Sequence, residues 1–348
     1  MVGEASFAVP GDLAIPTGGY AYDRRIIAEL SALGWRIEVV NLGDGFPYPA
    51  ADTRATACAR LAALPRHPVV IDGLAFGALP EAAAALRASH RLVALVHHPL
   101  ALESGLSAAD AASLRASERS ALVCARHVIA TSATVARLLV ADYGVASGRL
   151  SVVEPGTDRV SAPPRNREGV VKLLAVGSVI PRKGYDVLVA ALARLGHLPW
   201  RLVIAGDCGR SPQTSRGLRA EIARLGLTDR ISLLGAVASE QMSPLYASAD
   251  LFVLPSRFEG YGMAYAEAIA HGVPVIGTTA GAIPQTVSAD AGVLVAPDDV
   301  EALAAELQRL IASPDQRERL AAGARAVKFP SWSEQAARFA REIGRAHV

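Results

Sequence analysis

An α/β fold made of two doubly wound parallel sheets is what this sequence predicts, and three observations carry the prediction. Short apolar runs alternate with longer amphipathic ones from end to end, the pattern of strands joined by crossover helices. The 348 residues exceed what one core accommodates, since single hydrophobic cores stop growing at about 250–300 residues. The alternation also breaks once, over 155–169, where Pro163-Pro164 and a mixture of Arg, Asn and Glu show no periodicity and read as an interdomain linker.

In the first half the strand-like runs are 6–9, 36–41, 69–72, 92–96 and 127–130. Between the first two, Ile26, Leu30 and Leu33 fall on one face of a helix that Gly34 would stop. In the second half the runs are 172–177, 202–206, 231–235, 251–255, 273–277 and 292–296. Four of these six end in glycine, which lets the backbone turn sharply at the carboxyl edge, where open α/β sheets bind ligands. After the breaking Pro330, Trp332, Ala336 and Phe339 recur at helical offsets and mark a terminal helix. The expected division is a domain over 1–160, a second over 161–330 and a final helix over 331–348.

Composition narrows the function classes. With 51% apolar and 20% charged residues the chain has ample material for burial and no sign of disorder. A net charge of +2 gives no field of the kind that nucleic-acid binders use, so nucleic acid is not an expected partner. Cys58, Cys124 and Cys208 lie far apart, fit neither a disulfide framework nor a metal spacing, and read as buried thiols in a reducing compartment. The first residues lack a basic segment followed by an apolar one, and no run of about 18 apolar residues occurs, which favours a cytoplasmic protein. Arg115, Arg119 and Arg126 would offer anionic lipids a basic face for peripheral membrane contact, although a solvated helix face is the simpler reading. Oligomeric state is not legible.

The richest segment is Pro255-Ser256-Arg257-Phe258-Glu259-Gly260-Tyr261-Gly262-Met263-Ala264-Tyr265-Ala266-Glu267-Ala268, which follows an apolar strand and opens a helix. Glycines at a helix N-terminus bring backbone N–H groups close to phosphate or sugar oxygens. Glu259 in the loop and Glu267 in the helix can accept from two sets of hydroxyls along one elongated ligand. A loop charge and a solvated helix residue are the bland alternative, against which the strand, the glycines and the helix start weigh together. A second segment, Gly177-Ser178-Val179-Ile180-Pro181-Arg182-Lys183-Gly184, places two cations at a strand end, where a diphosphate leaving group needs positive charge. A solvated basic turn is its alternative, yet lysine occurs only at Lys172, Lys183 and Lys328 in this chain.

Two weaker signals lie in the first half. Pro16-Thr17-Gly18-Gly19-Tyr20 precedes the first helix, where glycine amides could face phosphates. His97-His98 ends a strand, where His97 is the better candidate to contact an acceptor or the reacting sugar; with no third ligand at metal spacing, no metal is expected. No Gly-x-Ser-x-Gly elbow, His-Glu-x-x-His, Walker lysine motif or Cys-x-x-Cys is present.

These segments, with Gly272-Val273-Pro274-Val275-Ile276, Gly292-Val293-Leu294-Val295 and Val153-Glu154-Pro155-Gly156-Thr157-Asp158, resemble glycosyltransferase family 4, retaining enzymes of the GT-B fold. The resemblance implies two Rossmann-like domains facing a central cleft, with the acceptor domain first, the donor domain second and the final helix crossing back to the first. It implies that Glu267 holds the nucleotide ribose, that Glu259 and the amides of Gly260, Tyr261 and Gly262 hold the donor sugar, and that Lys183 with Arg182 binds the diphosphate. It further implies that Gly19 approaches the donor phosphates, that His97 lies near the anomeric carbon, and that Val237 lines the base. The partners would be a nucleotide-sugar donor and a glycan, lipid or small-molecule acceptor, with no cofactor and no metal. Two departures stand out: Ser178 where the family often has Arg, for which Arg182 would compensate, and Gln285 where Glu is usual. An epimerase of the same architecture and a non-catalytic sugar-nucleotide-binding module are the competing readings.

Overall fold

Two six-stranded parallel sheets organise the computed structural model, which describes residues 3–158, 160 and 169–345. Most of the anticipated linker over 155–169 therefore lies outside the described residues. The first sheet contains β1 (Glu4–Val9), β2 (Arg36–Asn41), β3 (Pro68–Asp72), β4 (Arg91–Val96), β5 (His127–Ala130) and β6 (Leu150–Val152), in the order β2-β1-β3-β4-β5-β6. The second contains β7 (Val171–Val176), β8 (Trp200–Ala205), β9 (Ile231–Gly235), β10 (Leu251–Val253), β11 (Val275–Thr278) and β12 (Gly292–Val295), in the order β12-β11-β10-β7-β8-β9. Each order reverses beside the first strand of its half, so ligands are expected at the carboxyl ends of the strands around β1 and β7.

Helices cover both faces of the central strands, which is why β10 and β11, and β3 up to its terminal Asp72, are continuous apolar or small-residue runs, all buried along their whole length. The edge strand β2 is instead exposed at Arg36, Glu38 and Val39, and its charges blunt an edge that would otherwise template pairing.

The chain divides into two compact units, Met1–Ile15, Gly19–Gly156 and Pro330–Val348 in one, and Pro16–Gly18 and Thr157–Phe329 in the other. Helix Trp332–Arg345 belongs to the first. Phe339 stacks on Phe7 with centroids 6.2 Å apart, Trp332 meets the edge of Tyr22 at 5.9 Å, and Glu342 accepts a 2.6 Å hydrogen bond from Ser151. Trp332, Ala336, Phe339 and Ile343 are all buried, a spacing of 4, 3 and 4 that makes one apolar stripe.

Several expectations are corrected. Leu33 lies one residue past helix Gly18–Ala32 and is 49% exposed, because Gly34 at φ 87° ends the helix before Leu33 can share the stripe of Ile26 and Leu30. The apolar-run criterion misses β6, three partly buried residues interrupted by Ser151. The cysteines are half-buried free thiols rather than buried ones, two of them on helices whose buried positions are taken by Leu and Ala and, in helix Ala108–Cys124, also by Glu118. Arg126 lies beyond helix Ala108–Cys124, and its amide pairs with the Leu92 carbonyl, so only Arg115 and Arg119 share that helix's exposed face. No helix among the described residues is long and apolar enough to cross a membrane.

Candidate functional site

In the second unit two loops leave the carboxyl ends of neighbouring strands β7 and β10 and are stitched together by backbone. After β7, Gly177 at φ 150° leaves room that a side chain would deny: a Cβ there would stand 2.8 Å from Cε of Lys183. One turn of 3-10 helix, Pro181–Lys183, then ends at Gly184 in the left-handed region, packed so closely on the Pro255 carbonyl that no Cβ fits. The Arg257 amide donates to the Arg182 carbonyl at 2.8 Å, and the Arg257 side chain reaches the Pro181 carbonyl, both oxygens of Asp186 and, at 2.7 Å, Asp298. From the other side, Thr278 donates to the Ser256 carbonyl, Thr286 to the Tyr261 carbonyl, both at 2.6 Å, and the Ala282 amide to the Glu259 carbonyl at 2.9 Å. The loop over 255–262 is therefore held rigidly on both flanks.

This stitching brings Glu259, Lys183 and Arg182 together. Glu259 Oε1 accepts from Lys183 Nζ at 2.7 Å and from Ser256 Oγ at 2.6 Å, while Oε2 faces Arg182 Nη1 at 3.3 Å. Arg182 also donates to the Phe258 carbonyl at 2.9 Å. The carboxylate is 7% exposed. Burial alone would raise its pKa, but Lys183, then Arg182 and the hydrogen bond of Ser256 overcome that and hold it at about 2. One anion between two cations leaves a net positive group at the strand ends, suited to an anionic ligand.

Helix Met263–Ala270 starts at Gly262, φ 92°, and among the described residues no acceptor meets the amides of Gly260 and Gly262. Glu267, half-buried in that helix, accepts from the Tyr246 hydroxyl at 2.7 Å. Tyr246 is buried and stacked on His271, whose own nitrogens are fixed by Ser243 Oγ at 3.0 Å and the Glu267 carbonyl at 2.7 Å. Val237 follows β9 in a half-exposed loop. Ser178 is half-buried in the loop after β7, and Gln285 is exposed on the short helix Ile283–Thr286.

In the first unit Gly19 and His97 meet. Gly19 lies in the first turn of helix Gly18–Ala32 rather than in a loop before it, and a Cβ there would stand 3.2 Å from His97 Cδ2. His97 Nε2 lies 3.1 Å from Asp23 Oδ1 and 3.3 Å from Asp72 Oδ2. Asp72 ends β3 and uses its other oxygen on the Leu74 amide at 2.7 Å. Asp23 is fully buried, and its Oδ2 has no hydrogen-bond partner. The atoms of these three groups lie within 4.8 Å of one another, within the reach of a shared cation, whether a proton or a larger ion.

Sequence reasoning named Glu259, Lys183, Arg182, Glu267, Gly19 and His97. It missed Ser256, Arg257, Thr278 and Tyr246, which orient the second unit's charges, and Asp23 and Asp72, which flank His97. Asp23 sits on the buried stripe of its helix, one turn before Ile26, and an acid among apolar positions is the signal that could have revealed it.

A family model described as Glycosyl transferases group 1 matches residues 157–327, and one described as Glycosyltransferase Family 4 matches residues 71–160. The chain is 31% identical over 264 residues to the MMP alpha-(1->4)-mannosyltransferase of Mycolicibacterium hassiacum, across 71% of this chain and 63% of that protein. It is 36% identical over 231 residues to the D-inositol 3-phosphate glycosyltransferase of Xylanimonas cellulosilytica, across 60% of this chain and 54% of that one. The match thus spans less than two thirds of these relatives' length. Among solved structures, sucrose-phosphate synthase from Thermosynechococcus elongatus superposes with a TM-score of 0.82 at 20% identity over 99% of both chains. Anabaena HepE in complex with UDP-glucose superposes at 0.77 and 19% identity over 98% of this chain and 99% of that one. The architecture is GT-B.

Proposed function

Since the chain belongs to glycosyltransferase family 4, we propose that it moves a hexosyl group from a nucleoside diphosphate sugar to a hydroxyl-bearing acceptor, with retention at the anomeric carbon and without a metal ion. The convergence of Lys183 and Arg182 on Glu259 beside the bare amides of Gly260 and Gly262 is the observation that supports this best. A diphosphate entering there competes with Glu259 for Lys183 Nζ, so one buried ion pair is exchanged for another and no charge is stranded. Glu259, released, accepts from sugar hydroxyls; Glu267, oriented by Tyr246, accepts from the ribose; Val237 lines the base. Gly19 and His97 serve the phosphate and acceptor side.

In the proposed reaction the bond between C1 and the diphosphate oxygen breaks, and its electron pair leaves on the diphosphate. The acceptor oxygen bonds C1 on the same face, and its proton passes to a diphosphate oxygen. Lys183 and Arg182 stabilise the charge that grows on the leaving group, a task for which preorganised cations in a poorly solvated site are effective. The acceptor is a glycan, a lipid or a small polyol; the names of the relatives, which include acceptors and products carrying phosphate, make phosphorylated polyols and sugars the first to try.

A panel of nucleoside diphosphate sugars, read first by thermal stabilisation and then by product analysis, tests the proposal. The expected outcome is acceptor-dependent release of the nucleoside diphosphate and a product with the donor's anomeric configuration. Conversion of the sugar with no acceptor present would instead establish an epimerase. Tight nucleotide binding without release, across the acceptor panel, would reduce the protein to a binding module.

A further inference from the structure

Two buried carboxylates on one ring nitrogen constrain the chemistry that His97 can perform. An unprotonated Nε2 would turn its lone pair toward the lone pairs of Asp23 Oδ1 and Asp72 Oδ2, at 3.1 and 3.3 Å; burial lifts Asp23 to about 7, but His97 is the stronger base of the pair, so Nε2 carries the proton and donates to both. That removes the tautomer in which Nε2 acts as a base. A lone pair on Nδ1 is then disfavoured too, because a second proton there gives an imidazolium next to two acids in a dry surrounding: Asp23 is fully buried, Asp72 nearly so, and the His97 side chain is 19% exposed. Burial would lower the His97 pKa, but Asp23 and then Asp72 reverse this and take it to about 10.

The remaining neighbours do not oppose the charge. Tyr22 presents its ring to the imidazole as a T-shaped contact with centroids 5.3 Å apart, its hydroxyl is spent on the Val153 carbonyl, and Thr131 donates to the His97 carbonyl rather than to the ring. Gly19, without a side chain, makes room for the Cδ2 side of the ring, next to Nε2. Among the described residues no acceptor meets Nδ1.

We propose that Asp23 and Asp72 are positioning residues that fix His97 as an imidazolium, so that His97 meets substrate as an N–H donor from Nδ1 to an oxygen bearing negative charge, not as a general base. Phosphate is the chemical class that answers this description. The oxygen belongs either to a diphosphate or to a separate phosphorylated substrate, and only this choice of ligand rests on the transferase reading; the charge state of His97 does not.

Nitrogen-15 NMR of the histidines in the full chain, assigned with His97→Gln, reads the charge state without any ligand. In the unmutated protein both His97 nitrogens should give the protonated-type shift from pH 6 to 9. Asp23→Asn should bring the titration into that window, a change of tenfold or more in the acid constant, and Asp72→Asn, which retains the cap on Leu74, should produce a smaller shift in the same direction. A neutral His97 at pH 7.5, or an unchanged titration in both variants, would overturn the proposal even if transferase activity were established. Ligand arms use uridine diphosphate and inorganic phosphate. A shift at Nδ1 with the first alone assigns the diphosphate, one with both or with the second alone assigns an independent phosphate subsite, and silence with both at concentrations that stabilise the second unit would overturn the oxyanion role. If Asp23→Asn raises KM for the phosphorylated partner and adds an alkaline limb to the pH profile of kcat/KM while the unfolding midpoint stays put, positioning rather than bulk structure is at work.

Discussion

The two charge clusters of this molecule are inverses of each other. In the second unit one carboxylate, Glu259, lies between two cations, and in the first one imidazole, His97, lies between two carboxylates. Both are buried, yet they have opposite weaknesses. Glu259 is held as an anion with its pKa at about 2, so the pairing stabilises fully above the ordinary carboxylate range and is lost as pH falls toward 2. His97 is held as a cation, so its pairing is lost as pH rises through about 10, while burial lifts its partner Asp23 to about 7, and protonation of Asp23 also weakens this cluster as pH falls. A cluster's central charge, more than its depth, decides at which end of the pH scale that charge itself is lost.

That contrast can be broken by experiment. The largest effect expected is acid loosening of the second unit: a shift from 4.5 to about 2 corresponds to about 3 kcal/mol, withdrawn between those pH values. Trp200 lies in the second unit and Trp35 and Trp332 in the first, so single-tryptophan variants report each unit separately. Urea unfolding followed through Trp200 should lose stability over this interval, whereas the alkaline loss should be seen through Trp332; equal behaviour of the two probes would dissolve the distinction. Next in size, Lys183→Ala should lower turnover about a hundredfold or more, as for other preorganised charge stabilisers, with the loss in kcat rather than KM. Unchanged turnover would remove Lys183 from the chemistry.

Tyr246→Phe sharpens the comparison further, because it removes a hydroxyl donor from the Glu267 carboxylate. Losing one hydrogen bond of about 1 kcal/mol should weaken nucleotide binding about fivefold while kcat stays within twofold; titration calorimetry with the nucleoside diphosphate checks it. The smallest effect expected is Ser151→Ala, which frees Glu342 from one partner, costs about 0.5–1.5 kcal/mol in the first unit and leaves nucleotide binding unaltered.

Legibility in the sequence also differs between the clusters, for a physical reason. Gly177, Arg182, Lys183 and Gly184 are one turn, and Glu259 to Glu267 is one loop and helix start, so the second unit's chemistry is written in two contiguous stretches whose glycines declare their backbone geometry. His97, Asp23 and Asp72 come from the end of β4, the inside of a helix and the end of β3, and only the strand order β1-β3-β4 makes them neighbours. Such a site follows from topology, which apolar periodicity predicts in class but not in detail. Arg257 and Tyr246 escaped for a related reason: each acts on residues far along the chain, 71 positions from Asp186 and 21 from Glu267. The sheets were legible because buried parallel strands need unbroken apolar runs, and β6 was not because a short, half-covered strand does not.

The return of helix Trp332–Arg345 to the first unit has a consequence for biogenesis. During synthesis Phe7 and Tyr22 emerge early, yet the aromatic partners that cover them, Phe339 and Trp332, are translated after the second sheet is complete. The unit begun first is thus finished last, and until its final helix leaves the ribosome it carries an uncovered greasy patch that a nascent-chain chaperone would be expected to shield.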